Sequence, residues 1–529
     1  MRLLAGLTAV CSALVFATVA LSGTAGAAAA RLVTVRLTGL NRAGLVVAVP
    51  QAELLKVDGV PTLYQGTPVK VSPGTYLIAA EVPTYSTGET LTSQTLVFRK
   101  IAIRKTSTIR LNGRDGKQLT VGLTGAQAQD QDLAAGACLA NSPGGSGQVE
   151  QAAWGGDGVA VYAVPVRSAY VRFSYLSILQ SPAGASYYLV GSAGRGIPSR
   201  LSYHQSAANL AKMTMVLRGG VFGSSVMDWG IGSGNSQTFC GGGQDAEVQQ
   251  PQSWVNYLTP GTWTTQVEAY SEGTNQELYR TAGFYATRRY LAHRSYTDTF
   301  GGAVAGPGPD FPAIGSADFD YGPSLFDPPV TRGGSTCCSR TAVTLRIGRH
   351  VVKKQTFSSS CQSCFGATIR QAGWYTLNAT ARRWFPGGNT PTSLLSPRVA
   401  VSFRFHASPR PAGNGSWQNL PVTDTSYQPL GLDIDNGAPA GGTTHLVIHV
   451  KRPGNAGTAT PVYRLKTVRV LVSFNDGKTW QRLAITRLHG AWRAAVHDPA
   501  TGYVSLRSVV TDVHGDSTEQ TVYRAYAVS

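Results

Sequence analysis

The chain has 529 residues, of which 42% are hydrophobic, 14% charged and 9% aromatic, and its formal net charge is +18. That length corresponds to about three or four domains, and that apolar fraction excludes a wholly disordered chain. With 61 Gly, 28 Pro and only 4 Met, the composition fits many short strands joined by turns and not a large helical protein.

Residues 1–27 read as a secretory signal peptide. Met1-Arg2 is a short positive start, Leu3 to Leu21 an apolar run, and Ala25-Gly26-Ala27 a small-residue cleavage site. No later run of about 18 apolar residues occurs, so no membrane association is expected after cleavage. Residues 31–120 predict an N-terminal β-sandwich: Leu32 to Leu37 alternates, and Pro73-Gly74 turns into the strand Thr75 to Ala80. Residues 121–150 are polar and small, ending in Pro143-Gly144-Gly145-Ser146-Gly147, and read as a linker or long loop. Residues 151–320 carry strand patterns at Val159 to Val164, Ala169 to Tyr175, Met213 to Leu217 and Trp263 to Tyr270, spaced as in a jelly-roll-like domain. Residues 321–408 predict a disulfide-stapled β domain, which either closes on itself or completes the preceding one. Residues 409–529 have a loop-rich start and then six or seven strands from Thr443 onward, the rhythm of an immunoglobulin-like sandwich. The expected fold class is all-β, with several β-sandwich or jelly-roll modules in tandem.

Export decides how the cysteines read. Cys11 lies in the apolar leader, and six remain: Cys138, Cys240, Cys337, Cys338, Cys361 and Cys364. An even number in an oxidising compartment predicts disulfides. The CC and CxxC pairs, 22 residues apart, suggest two bridges, each closing a loop of roughly 25 residues and worth about 3 kcal/mol. A tetrathiolate zinc site is the alternative, and vicinal cysteines suit it poorly. Cys138–Cys240 follows by elimination. Arg outnumbers Lys 35 to 11, and the basic residues fall in small scattered clusters such as Arg288-Arg289 and Arg382-Arg383. They read as solvent faces of strands rather than a nucleic-acid stripe. Adhesion to an anionic cell-wall polymer stays open as a partner, as does an extracellular protein.

The sharpest local motif is Ser473-Phe474-Asn475-Asp476-Gly477-Lys478-Thr479-Trp480. It fits S-x-D/N-x-G-x-T-W, the Asp-box hairpin. The expectation is that Asn475 and Gly477 adopt left-handed conformations while Ser473, Thr479 and Trp480 pin the turn. As a single copy it reads as structural. His445 and His449 face one side of a strand but stand about 13 Å apart, too far to chelate a metal together. Asp433, Asp435 and Asn436 before Gly437 hint at calcium, without the 12-residue spacing and terminal Glu of a calcium loop; Asp318 and Asp320 are a similar, weaker hint. No G-x-S-x-G occurs. Trp229, Trp254, Trp263 and Trp384 lie in the loop-rich middle and could stack on sugars if exposed.

Three blocks carry a family resemblance. The first is Pro73-Gly74-Thr75-Tyr76 with Leu111 to Lys117. The second runs from Tyr296-Thr297-Asp298 and Gly306-Pro307 through Leu325-Phe326-Asp327 and Leu345 to Gly348 to Tyr375-Thr376-Leu377. The third is Val472 to Trp480, Tyr503 to Arg507, Thr511-Asp512 and Gln520 to Tyr526. In this order the chain resembles the C-terminal accessory region of secreted subtilisin-like serine peptidases from actinobacteria. The D-S/T-G, H-G-T-H and G-T-S-M segments of the peptidase are absent, so no member of a triad can be placed. The resemblance implies a free-standing relative of the accessory β-domains, with no catalytic, cofactor or metal residue. The expected function is a secreted, non-enzymatic β-sandwich protein with a binding, adhesion or accessory role related to extracellular peptidases. The alternatives are a glycan- or cell-wall-binding protein, or a divergent hydrolase in 151–320 using Asp228, Asp245 and His204.

Overall fold

A computed structural model describes residues 32–529, apart from 88, 145–148, 157, 221–225, 234–239, 241–243, 250, 273–277, 309–310, 316, 328–332, 337–338, 359–364, 384–394, 410–416 and 453–463. The signal peptide expected at 1–27 and the cysteines Cys337, Cys338, Cys361 and Cys364 lie outside the described residues. Among those described the chain is all-β. Its strands stack as sheets in tandem, and the single helical element is the one-turn Ala207–Asn209.

Alternation builds the first sheet. In Val33–Leu40, Val33, Val35 and Leu37 are buried while their neighbours are not. This strand pairs antiparallel with Val46–Ala48 and Val69–Val71 and parallel with Ser107–Asn112. A six-stranded sheet lies over it, built on Ala52–Lys56, Gly74–Tyr85 and Leu91–Ile103. Gly74–Tyr85 carries a run of apolar residues buried on both faces, the signature of a strand covered above and below. Ile78, Ala80 and Val82 pack on Val35, Leu37 and Leu111. Leu77 and Ala79 face the other way, onto Ala135, Ala137, Phe173 and Tyr175 of a seven-stranded sheet.

That third layer corrects the linker expected at 121–150. Gln129–Leu139 lies between Val149–Gly156 and Val171–Gln180 in the seven-stranded sheet. Its small residues, Ala134, Ala135, Gly136 and Ala137, let two layers approach closely rather than mark a loop. The boundary at 120 shifts as well. Ala160–Ala163 joins the six-stranded sheet, parallel to Leu91–Ile103, so the first two modules share strands. The seven-stranded sheet mixes antiparallel pairs with two parallel ones, Ser186–Ala193 beside Gln252–Leu258 and Ala211–Leu217 beside Ser295–Phe300. A five-stranded sheet around Gly261–Glu272 and Leu278–Tyr290 follows, with Trp263, Val267 and Phe284 in the core.

The boundary at 408 is also corrected. Ser339–Ile347, His350–Ser358, Gly373–Arg383 and Arg398–Ala407 neither close on themselves nor complete the middle module. Arg398–Ala407 pairs with the last strand, Ser517–Val528, from Arg398↔Tyr523 to Arg404↔Ser517. One nine-stranded sheet therefore spans 339–528. An exposed strand edge is stabilised by any compatible neighbour, and alternation alone does not say which. Two four-stranded sheets cover its inner face. One contains Asp424–Leu430 and Thr443–Lys451; the other contains Asp318–Tyr321 and Phe365–Thr368. Buried polar ties cross the layers. Gln520 brackets Thr425, donating from Nε2 to its carbonyl (2.6 Å) and accepting its N–H (3.0 Å). Asp498 accepts from Thr444 (2.6 Å) and Tyr526 (2.8 Å).

Candidate functional site

A surface cleft of about 860 Å³ lies between the small sheet and the tip of the hairpin Ser339–Ile347/His350–Ser358. Aromatic packing fixes the two walls. Phe319, between Asp318 and Asp320, turns inward and stacks on Phe405 at 5.9 Å and nearly parallel; Tyr321 meets Phe403 edge-on at 5.8 Å. Each such buried ring removes 150–250 Å² from water, roughly 4–6 kcal/mol at 25 cal/mol/Å². Since Phe319 points in, Asp318 and Asp320 point out on one face, roughly 7 Å apart along the strand. His350 and Lys353 of the hairpin line the cleft as well. Lys353 Nζ donates to the Gly366 carbonyl and sits 5.5 Å from the Phe365 ring, clamping the hairpin to the small sheet. Tyr375 closes the floor; it donates to the Gln371 carbonyl at 2.8 Å, and burial pushes its phenol pKa up.

The rim carries Trp417, whose side chain is 44% exposed. It precedes the short strand Gln418–Asn419, which pairs with Ala313–Ile314, and its indole lies against Gly315. The volume lies within the usual range for small-ligand sites, and the cleft combines an exposed indole with groups of both charge signs. Sequence reasoning passed over Trp417. An aromatic ring following the Gly-, Pro- and Asn-rich run of 409–415 was the available signal. Of the tryptophans it did single out, Trp263 is 1% exposed with its N–H donated to the Thr259 carbonyl at 2.8 Å, and Trp254 is packed against the core. The side chains of Trp229 and Trp384 lie outside the described residues.

The other expected sites resolve individually. Cys138 and Cys240 are disulfide-bonded, with Cα atoms 5.1 Å apart across 102 residues. In the Asp-box turn, the Gly477 N–H donates to Ser473 Oγ (2.9 Å) and the Thr479 N–H to Asn475 Oδ1 (2.9 Å). The left-handed residues are Asp476 (φ 54°) and Gly477 (φ 81°), which corrects the expectation for Asn475. Asn475 keeps ordinary backbone because its side chain bridges the loop, also donating to Thr479 Oγ1 at 2.8 Å. Asp476 forms a two-point ion pair with Arg524 (2.9 and 3.0 Å), whose hydrogen bonds hold its carboxyl pKa low. Trp480 lies under the Arg507 guanidinium at 4.2 Å.

Asp433 Oδ1, in the suggested calcium segment, is occupied by the N–H groups of Asp435 (3.0 Å) and Gly437 (2.6 Å). Asn436 turns inward and is fully buried. It donates to the carbonyls of Gly219 and Gly301, both at 2.8 Å, and accepts the Ala303 N–H at 2.9 Å. Among the described residues no group of three or more His, Cys, Asp or Glu could hold a metal ion. His445 and His449 share the strand Thr443–Lys451. Of the residues suggested for a hydrolase, Asp228 and Asp245 sit on paired strands of the five-stranded sheet. His204 belongs to a separate ribbon, Thr120–Thr124 with Ser202–Ser206, where it covers Gly122. Among the described residues no helix is long and apolar enough to cross a membrane.

No family model matches the sequence, and no curated protein matches it. Among solved structures, a Ca2+-stabilized adhesin that helps an Antarctic bacterium reach out and bind ice is 10% identical; the match covers 86% of this chain and 94% of that one at a TM-score of 0.14. BcpA, the major pilin subunit of Bacillus cereus, is 10% identical over 51% of this chain and 98% of its own, also at 0.14. A polysaccharide lyase is 9% identical over 58% of this chain and 40% of its own, at 0.13. TM-scores this low carry neither a shared fold nor a function to this chain.

Proposed function

We propose that the chain is an extracellular, non-enzymatic binding protein whose tandem β-sandwiches present the Trp417 cleft to a saccharide-sized ligand. The observation that carries this reading is the exposed indole on the rim of a cleft that Asp318, Asp320, His350 and Arg370 also line. A sugar offers an apolar C–H face to stack on a ring and hydroxyls to bond to the polar groups around it. Secretion of the protein is part of the proposal, supported by the leader-like start of the sequence and by the Cys138–Cys240 bridge, since disulfides persist in oxidising compartments. An accessory role beside an extracellular peptidase rests on the sequence resemblance alone.

Binding is favoured over glycoside hydrolysis by carboxylate placement. Hydrolysis needs two carboxyl groups flanking the scissile bond. Asp318 and Asp320 project side by side from one strand, and among the described residues lining the cleft there is no third carboxylate. The test is a glycan panel with calorimetry on wild type and Trp417→Ala. At least one neutral oligosaccharide should bind to wild type, and about tenfold more weakly to the variant, the worth of one stacked ring. No binding by wild type, equal binding by Trp417→Ala, or turnover of the bound sugar overturns the proposal.

A further inference from the structure

The outer face of the nine-stranded sheet gathers arginines that are scattered in sequence. Arg340 stands directly opposite Arg382, and Arg382 directly opposite Arg398, giving a lateral row of three guanidinium side chains on three adjacent strands. Directly opposed residues on one face have Cβ atoms about 5 Å apart, and like charges there are destabilising. Six residues further along these strands, a second row places Arg346 and Arg404 on either side of Thr376. Arg507 extends the face across the last strand, opposite Thr521. The acids beside these rows include Glu519, paired with Arg507 at 3.4 Å, and Asp476, paired with Arg524 at 2.9 Å and close enough to Arg398 to feel its charge.

Two features fit this face to a ligand. The outward aromatic rings are each covered by a guanidinium: Arg398 over Tyr523 at 3.6 Å, Arg404 over Trp374 at 3.9 Å and Arg507 over Trp480 at 4.2 Å. Stacking pre-orients these guanidiniums, whose planar forks match carboxylate, phosphate and sulfate groups. Between the charges lie Thr344, Thr376, Asn378, Thr380 and Ser402, which offer hydroxyl and amide partners for sugar hydroxyls. Single-stranded nucleic acid is held by stacking bases on free aromatic faces, and here a guanidinium already takes one face of each ring.

The geometry points to this face as a docking surface for an extended anionic polysaccharide of the cell surface, laid across the arginine rows. The site is separate from the Trp417 cleft and does not depend on the reading of that cleft.

Retention on immobilised polygalacturonate at low ionic strength tests this, with neutral dextran, oligothymidylate and anionic lipid vesicles as competitors. Wild type should bind polygalacturonate and lose it as salt rises. Arg382→Gln should bind roughly tenfold more weakly while its thermal midpoint is not lowered, because the side chain is exposed. Arg493→Gln, the same charge change at an exposed position on another sheet, should leave binding unchanged. Failure of wild type to bind, an equal loss in Arg493→Gln, a lowered midpoint in Arg382→Gln, or stronger competition by oligothymidylate or vesicles overturns the proposal. Trp417→Ala should bind polygalacturonate normally, which keeps failure here distinct from failure of the cleft.

Discussion

Replacing Asn436 with alanine should separate the middle of the chain from its C-terminal module. The fully buried amide ties three loops: its own turn, Gly219 and the Gly301–Ala303 segment. Beside it the Arg218 guanidinium donates to the Asp433 carbonyl at 2.9 Å, and the Gly219 N–H donates to the Ile434 carbonyl, also at 2.9 Å. Alanine leaves two carbonyls and one N–H without their partner; each buried group left unsatisfied costs about 1–3 kcal/mol. Residue 436 also has φ 61°, a left-handed conformation that costs alanine roughly 1–2 kcal/mol. Taking the low end of each contribution, the expected loss is at least about 4 kcal/mol, read as a lower urea midpoint followed by tryptophan fluorescence. Asn436→Gly keeps the hydrogen-bond loss but removes the backbone strain, so it should recover about 1 kcal/mol of that loss. A loss below about 1 kcal/mol in Asn436→Ala, or Gly less stable than Ala, would refute the account of this amide as the tie.

Four further outcomes follow from buried groups and turns. Gly136→Ala should prevent normal assembly of the Cys138–Cys240 region, since a Cβ there would lie 1.5 Å from the Cys240 carbonyl oxygen; native-like yield and a fully formed bridge by mass spectrometry would contradict this. Reduction of the bridge should lower the thermal midpoint, because closing about 100 residues is worth roughly 4.7 kcal/mol in the chain-entropy picture; an unchanged midpoint in reductant counts against it. Burial, with Asp327 nearby adding to it and Lys451 opposing, raises the Asp424 carboxyl to about 8, and burial raises Glu53 and Glu81 to about 7. The unfolded chain ionises all three near pH 4. Their contribution is therefore complete below about pH 4 and declines as pH rises toward 8, by about 1.4 kcal/mol per pH unit for the fully buried Asp424. Asp424→Asn should flatten the stability profile over that range, and a variant with the wild-type slope would sink the assignment. In the Asp-box turn, Gly477→Ala combines φ 81° with a Cβ 2.8 Å from the Tyr523 ring, and should weaken the turn more than Asn475→Ala does; chemical denaturation giving the reverse order would show that the side-chain bridge, not the backbone, limits the turn.

The strand class was legible because alternation is local: Val33–Leu40 and Gly373–Arg383 carry their buried face in their own spelling. The hydrogen-bond chemistry of the Asp-box turn was legible for the same reason, although the left-handed position moved from Asn475 to Asp476. Cys138–Cys240 could be reached by counting. Sheet membership was not legible, since any strand edge accepts any compatible partner; Gln129–Leu139 read as a linker because its small residues look alike in a loop and in a closely packed layer. The candidate sites depend on that same information. Arg340, Arg382 and Arg398 are scattered cations until antiparallel register sets them side by side, and Trp417 is a loop residue until the pairing of Gln418–Asn419 with Ala313–Ile314 brings it to the cleft. Local periodicity determined which residues face in and which face out; only the long-range pairing of strands decided which outward residues meet, because register between distant strands is set by the packing of the whole core.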